Sequence, residues 1–141
     1  MKPKVFLKTS FVYFILAIIL GVFFREATKI KNFTQPTALG VLHTHTLVLG
    51  TFLFLILFAI SLHKSLDNIK LLKKFFVLYN ISLVFMLTMI LIRGVTQVFT
   101  ISLSKAQDAM ISGFSGISHI MIMISFFILF KCLFDLCKIK K

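Results

Sequence analysis

Four apolar stretches alternate along the chain with short polar segments. The first runs from Phe11 to Phe24, behind Lys2, Lys4 and Lys8. Residues 25–37 are polar and include Arg25, Glu26, Lys29, Lys31 and Pro36. The second stretch reaches from Ala38 to Leu62, the third from Phe75 to Phe99, and the fourth from Ala109 to Phe130 or on to Leu136. Polar connections at 63–74 and 100–108 separate them. About 20 apolar residues span the ~30 Å hydrocarbon core of a bilayer. The pattern predicts an all-α membrane protein with transmembrane helices at about 5–24, 38–62, 75–99 and 109–136, in a single domain over 1–141. A basic start and a short apolar core also open a secretory signal. Here the run ends Phe23-Phe24-Arg25-Glu26 with no small-residue cleavage site, so the first helix is read as retained. Pro36 suits a loop or the first turn of helix two, and Thr34 or Thr37 is placed to cap it.

Charge adds a direction. With four spans, residues 1–8, the 63–74 connection and the C-terminal segment share one side, and together they hold eleven of the sixteen Lys and Arg residues. The other side holds five, counting Arg93 near the end of helix three. Positive charge collects on the cytoplasmic side. The expectation is an antiparallel up-down bundle with both termini cytoplasmic, in a bacterial plasma membrane.

Composition agrees. The chain is 59% hydrophobic, with eighteen Phe and no Trp. That is more apolar surface than 141 residues can hide from water, so membrane lipid must cover it. The net charge of +12 does not point to nucleic acid, because the lysines sit between apolar runs, as topogenic charge facing anionic lipid does. Cys132 and Cys137 lack the spacing and companions of a zinc site, and facing the cytoplasm they would stay reduced.

The chemistry is concentrated in Leu42-His43-Thr44-His45-Thr46, followed by an apolar run to Ile60. Ionisable groups inside a membrane are costly and mark function by default, and imidazole is a common ligand of haem iron and transition metals. Residues i and i+2 of a helix lie about 200° apart, so His43 and His45 face opposite flanks and suit two sites, or one site on each side. On helix four, His119 lies about 15 Å along, and His45 about 10 Å along helix two, from the same side. Arg93 and Gln97 on helix three share that leaflet. Arg93 can pair with an anionic group such as a haem propionate, or snorkel outward; His119 can equally serve a backbone carbonyl. His63, beside Lys64 at a helix end, is read as solvated. Gly113 and Gly116, with Ser112, Ser115 and Ser118, give helix four a small-residue face that a helix or a flat cofactor could approach closely.

On these residues the chain resembles a family of small four-helix membrane proteins of unknown function from Gram-positive bacteria. The shared features are Arg25-Glu26 ending helix one, then Leu42-His43-Thr44-His45 and Leu49-Gly50. More distantly, His43-x-His45 resembles a motif of the haem–copper oxidase superfamily, whose catalytic subunit has twelve helices in three arcs of four. The resemblance implies that one chain is an arc, that a homotrimer imitates the whole, and that His43 of one subunit and His45 of a neighbour could ligate haem between them. The histidines of a copper site are missing. So are intramembrane carboxylates, since Glu26, Asp67, Asp108 and Asp135 fall at or beyond helix ends.

Three functions follow as expectations. The favoured one is a protein binding b-type haem through His43, His45 and His119, with Arg93 and Gln97 beside it, for electron transfer, sensing or haem handling with an unidentified redox partner. An enzymatic activity would then be that of a haem-dependent oxidoreductase. The second is a small oligomeric transporter or channel with a cavity lined by His and Arg. The third is an accessory subunit of a respiratory complex. A conventional hydrolase is disfavoured, as no carboxylate accompanies a histidine at a matching depth.

Overall fold

The structure is a computed structural model that describes residues 1–64, 66 and 69–138. The carboxylate Asp67 lies outside it, as do Lys140, Lys141 and the side chain of Lys70, three of the eleven basic residues counted on one side. The described residues form four long helices and no strand. They are α1 (Pro3–Ile30), α2 (Leu39–His63), α3 (Lys70–Val98) and α4 (Lys105–Lys138). Each is long and apolar enough to cross a membrane, which makes the chain a multi-pass membrane protein by length and composition. Between 22% and 39% of the most apolar window of each helix is buried, so most of that surface points outward.

Three of the helices, α1, α3 and α4, outrun their apolar cores. Pro3 occupies the first turn of α1, where its missing N–H costs nothing. At the other end, Arg25 to Ile30 are mostly good helix formers and continue the helix to a left-handed Asn32 (φ 49°). There the Phe33 N–H bonds the Thr28 carbonyl at 2.9 Å and the Asn32 N–H bonds that of Lys29 at 3.1 Å. α3 ends the same way at Thr100, also at φ 49°. α4 starts at Lys105 because Ser104 and Gln107 cap it reciprocally. The Ser104 N–H donates to Gln107 Oε1 at 2.9 Å, and the Gln107 N–H to Ser104 Oγ at 3.2 Å.

α2 is not a uniform helix. Leu39–His45 and Leu53–His63 are α-helical, but Thr46–Phe52 between them is a π-helix, beginning at the residue after His45.

A ladder of aromatic rings joins the four helices. Tyr13 of α1 stacks on Phe54 of α2 with centroids 5.9 Å apart. Phe54 meets Tyr79 of α3 edge-on at 5.8 Å, and Tyr79 meets Phe126 of α4 at 5.6 Å. Such offset and edge contacts are worth ~0.5–1.5 kcal/mol each beyond the area they bury. α1, α2 and α3 touch one another, whereas α4 packs chiefly on α3.

Candidate functional site

α2 carries the histidine pair, and α3 holds its N-terminal end. Gln97 Oε1 accepts from the Ala38 N–H at 2.8 Å and from Thr37 Oγ1 at 3.1 Å, so α3 caps the first turn of α2. Thr37 contributes as well, its Oγ1 accepting from the Leu39 N–H at 3.3 Å. The backbones meet at Gly94, where an added Cβ would lie 2.5 Å from the Leu39 nitrogen.

His43 faces α1. Its ring lies over Phe24 at 6.3 Å between centroids, and its Cβ is 3.7 Å from where a Cβ of Gly21 would sit. It is half-buried, and its Nδ1 is buried with no hydrogen-bond partner. His45 lies about 200° around the helix, half-buried, with Nδ1 2.8 Å from the Val41 carbonyl. A carbonyl only accepts, so Nδ1 carries a proton, and in the neutral imidazole Nε2 keeps its lone pair. His119 on α4 is exposed and repeats this arrangement, its Nδ1 2.7 Å from the Ser115 carbonyl. His63 does so too, at 3.0 Å from the Ala59 carbonyl, but at the end of α2 beside Lys64.

Arg93 faces α4 and is engaged there. Nη1 pairs with the Asp108 carboxylate, and Nη2 donates to Ser112 Oγ at 2.6 Å. Gln97 serves the first turn of α2. The candidate residues therefore stand on three helices, with Arg93 engaged on α4 and Gln97 on the first turn of α2. Among the described residues, no three His, Cys, Asp or Glu side chains could together hold a metal ion. Cys132 is buried and Cys137 exposed, both as free thiols. A cavity of about 140 Å3 between α1, α2 and α3 is lined by Leu16, Leu20, Leu42, Val84, Leu87, Thr88 and Leu91, which is an apolar lining and not a polar channel.

A second polar group escaped the sequence reading. Tyr79 Oη donates to the Leu49 carbonyl at 2.9 Å, and Ser10 Oγ to the Thr51 carbonyl at 2.9 Å, both within the π-helix. Tyr13 Oη donates to Asn80 Oδ1 at 2.9 Å. Gly50 admits Tyr13, whose Cγ would lie 2.5 Å from an added Cβ. Backbone carbonyls are the acceptors for Ser10 and Tyr79, so no spacing of residue types announces these bonds. The mid-helix Tyr79-Asn80 pair was the available signal.

Fold and site together define a multi-pass, all-helical membrane protein with an imidazole pair on one span. The chain belongs to the family described as protein of unknown function (DUF2871), whose model matches residues 3–136. No curated protein and no solved structure matches it.

Proposed function

We propose that this chain is a haem-binding integral membrane protein of the bacterial plasma membrane, serving electron transfer, sensing or haem handling. The observation that carries the reading is His45. Its Nδ1–H is spent on the Val41 carbonyl, and Nε2 is left free to ligate from an apolar helix. Ligating histidines are commonly held this way by their second nitrogen. His63 has the same bond, but depth separates the two, since His63 ends its helix next to Lys64.

The donor set fits a b-type haem. When bound, the haem would supply one-electron chemistry or, with one axial position open, gas binding. His45 and His119 offer imidazoles whose Nδ1 is spent on a carbonyl. His43 offers an imidazole on the opposite flank of α2, turned toward α1, where its buried Nδ1 has no hydrogen-bond partner. Opposite flanks favour ligation between chains, as in a homotrimer of four-helix arcs like those of the haem–copper oxidases. Arg93 supplies a cation for a propionate, which would compete with Asp108 for the guanidinium.

The proposed topology is an up-down bundle with cytoplasmic termini. Contacts of Phe24 with His43 and of Tyr13 with Phe54 support opposite directions for α1 and α2. Contacts of Leu39 with Gly94 and of Phe54 with Tyr79 support the same for α2 and α3. The excess of lysine at 1–8, 63–74 and the C-terminal segment supports the orientation.

Haem content of histidine variants tests the reading. With haem supplied during expression, His45→Ala is expected to lower haem per protein about tenfold or more, while His63→Ala keeps the wild-type ratio. Wild-type haem content in His45→Ala would remove His45 from the site.

A further inference from the structure

The π-helix at Thr46–Phe52 joins the half of α2 that bears His43 and His45 to the half that bears the core residues Phe54 and Leu57. A π-helix bonds i to i+5 and takes one residue more per turn than an α-helix, and such segments are frequent at functional sites. Relative to an unbroken α-helix, everything above it is turned by about 100° and displaced by about 1.5 Å. The aim of His43 at Gly21 and Phe24, and of His45 at the opposite flank, depends on that extra residue.

Two buried hydroxyls from other helices take carbonyls inside this segment. Tyr79 of α3 is 0% exposed and bonds the Leu49 carbonyl, while Ser10 of α1 is 2% exposed and bonds that of Thr51. Gly50, between these two acceptors, lets Tyr13 close against the backbone. Hydroxyls that merely fastened helices together would have no reason to select two carbonyls of the one irregular turn. In hydrocarbon a carbonyl displaced from regular helical bonding must find another donor.

We infer that Tyr79 and Ser10 are positioning residues, which hold the π register of α2 and thereby set the flanks on which His43 and His45 are presented. The functional consequence rests on the haem reading, but the register itself can be tested without haem.

The test is disulfide trapping. The Cβ positions of residues 21 and 43 are 3.7 Å apart, within the ~3.5–4.5 Å of disulfides. Gly21→Cys/His43→Cys, in a Cys132→Ala/Cys137→Ser background and free of haem, is expected to cross-link in good yield on mild oxidation in membranes. Adding Ser10→Ala/Tyr79→Phe should lower the yield at least about fivefold, because a turn of about 100° carries position 43 away from α1. Tyr79→Phe alone, the gentler variant should the double one fail to fold, should lower it in the same direction. Tyr13→Phe, which removes a bond between α1 and α3 but touches no carbonyl of α2, should leave it unchanged. A yield unaffected by the Tyr79 and Ser10 changes, an equal loss in Tyr13→Phe, or a parent pair that does not cross-link would each overturn the inference. In the chain with all histidines intact, Tyr79→Phe should alter the haem absorption bands at undiminished protein yield. A colourless wild type with Tyr79-dependent cross-linking would end the haem reading and leave the register assignment standing.

Discussion

His43, His45 and His63 share one helix and differ in their surroundings. One packs against Gly21 and Phe24, one holds its own backbone with Nε2 outward, and one stands at a charged end. Glycines show the same dependence on place. An alanine at Gly94 would put Cβ 2.5 Å from the backbone nitrogen of Leu39, which has no rotamer by which to yield, whereas Gly113 and Gly116 face open space. Gly94→Ala is expected to destabilise the protein by about 1–3 kcal/mol. Gly113→Ala and Gly116→Ala should be neutral or gain up to about 1 kcal/mol from helix propensity. Thermal unfolding in detergent reads the difference, and a Gly94→Ala melting temperature at or above that of Gly113→Ala would contradict the packing. The histidine pair could be read from the sequence because imidazoles stand out in an apolar run. The roles of Ser10, Tyr79 and Gly94 could not, because each is defined by a backbone atom of another helix.

At the scale of elements, the apolar runs located four helices long enough to cross a membrane, and local chemistry extended them. The predicted start of helix four near Ala109 treated 100–108 as connection; the Ser104–Gln107 capping box begins the helix at Lys105 and brings Asp108 within reach of Arg93. That signature was present in the sequence as Ser-x-x-Gln. The π segment had no signature, since its Thr, Leu, Val and Gly read as ordinary helix or strand. Ser104→Ala should cost about 1 kcal/mol. Thr100→Gly should stabilise by about 1 kcal/mol, as a β-branched residue is strained at φ 49° and glycine is not. Opposite shifts of melting temperature are the expected result; shifts of the same sign would contradict the assigned ends.

Across the whole molecule, the packing is uneven. α1, α2 and α3 are tied by the aromatic ladder and by hydroxyl bonds, while α4 rests mainly on α3, with Phe127, Phe130 and Phe134 turned outward. His119 lies in such exposed territory and His45 is half-buried, so lipid or a neighbouring chain must cover what they leave open. Among the described residues no three metal-ligating side chains gather in one chain, which is why the haem reading looks to an assembly of chains. The decisive measurement is the absorption spectrum of the protein purified in mild detergent after expression with haem supplied, recorded oxidised and then reduced with dithionite. A Soret band with sharp reduced α and β bands is the predicted result, the spectrum of low-spin haem between two imidazoles. A pure, folded, colourless protein would contradict it.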